Sequence, residues 1–195
     1  MLCSLSALAQ ESSSDKESQR GHPKVPTAYT TVSVSYFSWQ EQLTLTSGAS
    51  KDHGLVNLFG DGFSIEHENY FKPHHGTIME GSFLYGQATA GGTQSTLPYT
   101  TTNIKWTALQ ASYRYSYRWT TAVATSIGLM AVDRQLSLPT NTATNTSAEA
   151  GPSLNYGILI DFKLRPAEHW QLRQMIGTLA TQATTYWSLG FGYQF

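Results

Sequence analysis

Seven ionisable residues stand at alternate positions of extended segments: Glu66, Glu68 and Glu80, then Arg114, then Asp161 and Lys163, then Arg173. If one enclosed space receives them, opposite charges in such number pair and hydrogen-bond along it, because unpaired charge in a dry interior is costly. The chemistry this implies is structural first, a salt-bridged polar plug. Conduction of ions or protons is the lesser reading, since the charges are mixed in sign. A second chemistry would need a nucleophile and a base, and His53 with Ser47 or Ser50, together with His67, supplies those residue types. A polar loop also supplies serines by chance, and a histidine near an interface is more often merely solvated. His74-His75 follows Pro73 in a short turn. Adjacent turn residues converge poorly on one ion and no third ligand is near, so no metal is expected there. The run Gly86-Gln-Ala-Thr-Ala-Gly-Gly92 leads into a polar loop and not a helix, so its glycines serve turns and bulges and not a phosphate.

The elements that carry these residues are strands. A two-residue period recurs along the chain while a 3.6-residue period does not. The cleanest case sets Leu154, Tyr156, Ile158, Ile160, Phe162 and Leu164 on one face against Asn155, Gly157, Leu159, Asp161, Lys163 and Arg165 on the other. Phe63, Ile65, His67, Asn69 and Phe71 oppose Ser64, Glu66, Glu68 and Tyr70. Met79, Phe83 and Tyr85 oppose Glu80 and Ser82; Leu109, Tyr113, Tyr115 and Tyr117 oppose Gln110, Ser112 and Arg114. Ile127 and Leu129 oppose Ser126 and Gly128. Two segments alternate imperfectly. From Tyr29 to Thr46 the phase slips near Phe37, which predicts a bulge. From His169 to Ala180, Met175 and Leu179 fall on the polar face.

Composition narrows the setting. The 195 residues fit one domain, and a net charge of −1 gives no electrostatic footprint for nucleic acid. Charged residues are 13% of the chain, about half the share typical of soluble domains, yet no apolar run is long enough for a spanning helix. A chain that is poor in charge and built of alternating strands suits lipid outside and a polar lumen inside. Residues 1–9, with Ala7-Leu8-Ala9, read as the remnant of a signal peptide, and residues 10–27 as a disordered periplasmic leader. Cys3 is the one cysteine, so no internal disulfide is expected.

Connections alternate in length. Ser47 to His53, Thr89 to Thr101 and Ser137 to Ala150 read as long external loops, Lys72 to His75, Arg118-Trp119 and Arg165 to Glu168 as short periplasmic turns. Lys72, Arg118, Trp119, Arg165 and Trp170 at the short ends suit a membrane interface. The last strand, Tyr186 to Phe195, puts Trp187, Leu189, Phe191, Tyr193 and Phe195 on one face.

With those residues in view, residues 28–195 resemble the small eight-stranded outer-membrane β-barrels of the OmpA-like and OmpX-like plan. The resemblance implies an all-β, antiparallel, up-and-down transmembrane barrel. It also implies that Leu189, Phe191, Tyr193 and Phe195 form the C-terminal signature by which the assembly machinery receives such proteins. Outer-membrane lipid and that machinery are the implied partners, with room for an external ligand at the Thr, Ser and Asn-rich loops; a monomer and no cofactor are expected. A structural or surface-interaction role is the leading expectation. The alternatives are a lipid-modifying barrel enzyme and a narrow pore, although no motif matches the lipid A deacylases or palmitoyltransferases. A soluble all-β domain remains a further alternative.

Overall fold

The two-residue period governs the long strands of the computed structural model, which describes residues 28–91, 97, 99–180 and 184–195. The strands are β1 (Ala28–Ser47), β2 (Ser50–Tyr70), β3 (His75–Gly91), β4 (Thr100–Arg118), β5 (Val123–Leu136), β6 (Ser147–Ala150), β7 (Leu154–Ala167), β8 (Trp170–Leu179) and β9 (Thr184–Gln194). All but β6 pair in one antiparallel ring, β1-β2-β3-β4-β5-β7-β8-β9, and β9 returns to β1 with Tyr186 opposite Trp39 and Gln194 opposite Thr31. Closure removes the unpaired N–H and C=O groups that an open edge would present to lipid. The signal-like segment 1–9 and the leader 10–27 lie outside the described residues.

The outer face is apolar. Val34, Ile65, Leu129, Ile160 and Leu189 are each at least half exposed, and a belt of Phe, Tyr, Ile and Leu joins them around the ring. An apolar belt of that extent has lipid as its solvent. Ala28 pairs with Asn69, and the Phe195 N–H donates to Thr30 O at 2.9 Å, so both ends of the barrel segment lie at the end with the short turns. That end is periplasmic in the arrangement such barrels adopt. Trp119 and Trp170 are exposed there, suited to an interfacial girdle.

Four details differ from, or sharpen, the sequence reading. β1 has no bulge: its ladders with β2 and β9 run without a register shift. The apparent slip at Phe37 is a change in interior chemistry, because Phe37, Trp39, Leu43 and Leu45 continue the inward series begun by Ser33 and Ser35. Ser47 to His53 is no long loop either. Ser47 pairs with Ser50 across a tight turn at Gly48, whose φ of 57° is the left-handed region that glycine enters freely. Third, the segment 137–150 contains β6, which pairs with Leu43–Thr46 of β1 beyond the point where β9 stops. Finally, a bulge does sit at the rim, on β4 opposite Ala88 and Ala90, where Asn103 has φ 60°.

The strands are unequal. β1 to β4 have 17–21 residues, while β8 and β9 have 10 and 11. A 21-residue strand such as β2, tilted as barrel strands are, stands about 50 Å tall against an apolar band of about 25 Å. One side of the wall therefore rises well beyond the membrane on the extracellular side.

Candidate functional site

Inward positions divide the bore into two zones. Towards the periplasm they are charged, and the four carboxylates are paired with cations of other strands. Arg114 donates from Nη1 to Asp161 at 2.6 Å and from Nη2 to Glu66 and Glu80, both at 2.7 Å. Arg173 donates to Glu80 at 2.7 Å and, through Nε, to Asp161 at 3.3 Å. Lys163 contacts Glu66, and Glu68 at 3.4 Å; Arg165 contacts Glu68. Strands β2, β3, β4, β7 and β8 thus meet through side chains across the lumen. All seven ionisable residues singled out from the sequence lie in this zone and are buried.

Sequence reasoning missed other members. Arg118 and Arg165, assigned to an interface because they border short turns although Arg165 shares the face of Asp161 and Lys163, point inward and are buried. Arg118 lies with its guanidinium carbon 3.4 Å from the Tyr70 ring centre, a cation–π contact. Their phase was legible: Arg118 continues Gln110, Ser112, Arg114 and Ser116, and Arg165 continues Asp161 and Lys163. A separate pair, Glu41 with Arg134 at 2.9 Å, stands towards the extracellular end, where the Trp39 indole donates to Glu41 at 2.8 Å.

Apart from that pair, the extracellular zone of the bore is lined mainly by apolar residues. Phe37, Trp39, Leu43, Leu45, Val56, Leu58, Leu84, Trp106, Met130, Leu159, Met175, Leu179 and Tyr186 form one buried cluster. Met175 and Leu179, irregular in the sequence pattern, are members of it. Trp39 packs edge-on to Trp106 at 4.8 Å between ring centres. Gly62 makes the space: a Cβ there would sit 2.4 Å from the Phe37 ring. Tyr186 joins the zones by donating its hydroxyl to Gln110 at 2.9 Å. Above, Tyr99 donates to Pro139 O at 2.8 Å, and its burial pushes the phenol pKa up. Arg134, Leu136, Leu138, Ala148 and Gly151 line a cavity of about 290 Å³ beside β6.

The two candidate bases lie far apart, and among the described residues neither shares a hydrogen bond with Ser47 or Ser50. His53 and His67 both lie on β2, separated by roughly 45 Å of extended strand. His53 is exposed near the extracellular tip, where Ser47 donates to Thr144 O at 3.2 Å. His67 lies 3.3 Å from Thr30 Oγ1 on the outer face. In the periplasmic turn, His74 hydrogen-bonds Arg118 O at 2.8 Å and His75 bonds Tyr115. No group of His, Cys, Asp and Glu suited to a metal ion occurs among the described residues. Leu189, Phe191, Tyr193 and Phe195 all face outward.

Ring closure, the apolar belt and the filled bore define the class, a small eight-stranded β-barrel integral to the bacterial outer membrane. Among solved structures, OprG, an outer-membrane protein of Pseudomonas aeruginosa, matches with a TM-score of 0.53 at 11% identity, over 87% of this chain and 96% of that one. Ail, the attachment invasion locus protein of Yersinia pestis, matches with a TM-score of 0.48 at 16% identity, over 87% of this chain and all of that one. Another Ail structure, in complex with the heparin analogue sucrose octasulfate, matches at 0.46 and 15% identity, with the same coverage. At these identities the likeness is one of fold. No protein-family model and no curated protein sequence matches the chain.

Proposed function

We propose that this barrel is a closed scaffold, and not a pore, that presents an extracellular surface for interaction. The observation that carries this reading is the doubly filled bore. An ion network occupies its periplasmic zone and an aromatic and aliphatic cluster its extracellular zone, with Arg114, Trp39, Lys163 and Leu84 each no more than 2% exposed. A continuous water path needs space between side chains, and the depth of burial of the described residues in both zones supports a bore without one.

The tall wall of β1 to β4, edged by β6, is the surface that such a scaffold would hold out, with the Thr, Ser and Asn-rich connections as its adaptable contacts. Leu189, Phe191, Tyr193 and Phe195 serve in this reading as lipid contacts and as the assembly signature. Two measurements test the proposal. Planar-bilayer recordings of the refolded protein should give no conductance steps, and regular steps would overturn the closed bore. Cells displaying the protein should bind a panel of host-surface and matrix glycans better than cells displaying a form with β1–β2 shortened by removal of residues 44–53. Equal binding would remove the surface role, while leaving the closed bore standing.

A further inference from the structure

The buried ions of the periplasmic zone balance in sign except at one residue. Glu66, Glu68, Glu80 and Asp161 are matched by Arg114, Lys163, Arg165 and Arg173 through the contacts described above. Arg118 is left over. It is 3% exposed and packed against the Tyr70 ring, and among the described residues it makes no ion pair and its Nε and Nη2 have no hydrogen-bond partner. Arg165 contributes a third idle donor, Nη1. Both guanidinium carbons lie near the same ring, 5.2 Å and 5.1 Å from the centre of Tyr29. Tyr29, Tyr70, Arg118, Arg165 and Gln194 occupy the ends of β1, β2, β4, β7 and β9 that ring the periplasmic mouth.

A buried guanidinium with idle donors is costly, and fixed positive charge beside unfilled N–H groups is what an anion requires. A planar carboxylate satisfies a single fork. A tetrahedral oxyanion has oxygens for donors on two guanidinium groups at once. We propose that the periplasmic mouth is a phosphate-class oxyanion site, with Arg118 and Arg165 as ligands and Tyr29 as its aromatic wall. The oxyanion reaches it from the periplasm, either on a soluble molecule or on an inner-leaflet lipid headgroup.

The test uses the full chain refolded in an alkyl maltoside, whose headgroup carries no phosphate. Inorganic phosphate is titrated at constant ionic strength while the arginine Nε–H resonances are followed by NMR. The expected result is a saturable shift of the Arg118 Nε–H signal. Arg118→Gln should weaken phosphate binding, read from the Arg165 signal, by about tenfold or more, the scale of a lost charged hydrogen bond. Lys72→Gln removes the same charge from the exposed turn beside the mouth and should change affinity by less than about twofold, as expected for a screened surface charge. Should Arg118→Gln fail to refold, Arg165→Lys keeps the charge, loses the fork, and should weaken binding several-fold. A shift that does not saturate, or a Lys72→Gln loss equal to that of Arg118→Gln, overturns the site. Repeating the titration in phosphatidylglycerol nanodiscs assigns the source: a weaker apparent affinity there means the headgroup competes, and an unchanged one means a soluble ligand.

Discussion

At the scale of single residues, Glu80 has the most connected position in the lumen. It accepts from Arg114 and Arg173 at 2.7 Å each, from Ser82 at 3.1 Å and from Ser112 at 3.2 Å. Removing one partner of a buried ion pair strands the other, so Glu80→Gln should cost about 3–5 kcal/mol in urea unfolding from lipid vesicles. Pairing Glu80→Met with Arg173→Met should cost less than the sum of the two single changes, since neither charge is then left alone. An additive double mutant would mean that the pair contributes nothing as a pair. The lumen ions were legible where, as at Arg114, Asp161 and Lys163, they stand within a strand between apolar residues of the opposite phase; Glu68, between His67 and Asn69, was placed only by its parity with Glu66. Arg118 and Arg165 were obscured by their neighbours: next to a turn, a cation is expected to find water, and only parity with Arg114 and Lys163 points it inward.

Individual strands show where the two-residue period informs and where it misleads. On β7 it was complete, and Ile158 faces outward while Asn155 is buried and donates to Pro152 O at 2.9 Å. Ile158→Arg should therefore destabilise by about 2–4 kcal/mol if it lies near mid-membrane, and Asn155→Ala by less, measured by the same unfolding titration. The opposite order would turn the barrel inside out. β1 and β8 looked irregular because inward was equated with polar. Once the bore changes from ions to aromatics along its axis, Phe37 and Met175 keep their phase and only their company changes. Close strand approach was invisible in the sequence. Gly60 pairs with Gly86, and a Cβ on Gly86 would lie 2.1 Å from Phe59 O. Backbone cannot yield that far without breaking the ladder, so Gly86→Val should prevent the folded, heat-modifiable band on gels, whereas Gly81→Ala, with open space around it, should leave that band intact.

The whole molecule was legible as a ring and as a membrane protein, because those follow from alternation, turn spacing and low charge. Its inner division was not, since which inward residues meet depends on the stagger of strands far apart in the chain. The bilayer measurement belongs to this scale. Neither the ion zone nor the aromatic zone alone guarantees a shut bore, and the silence expected in recordings is a property of the two in series.

The ion network also bears on how the protein reaches its native state. Lys163 and Glu66 are 97 residues apart, and Arg114 and Asp161 are 47 apart, so apart from Asp161 with Arg173 in the β7–β8 hairpin these charges find their partners on strands distant in the chain. A half-finished sheet carries those charges bare on its concave side and gains little from entering hydrocarbon. Loop-closure entropy makes such distant meetings late events. The network is therefore complete only once β2, β3 and β4 have met β7 and β8 across the lumen. Before that meeting, the chain favours the aqueous side; after it, departure requires several buried charges to be bared together.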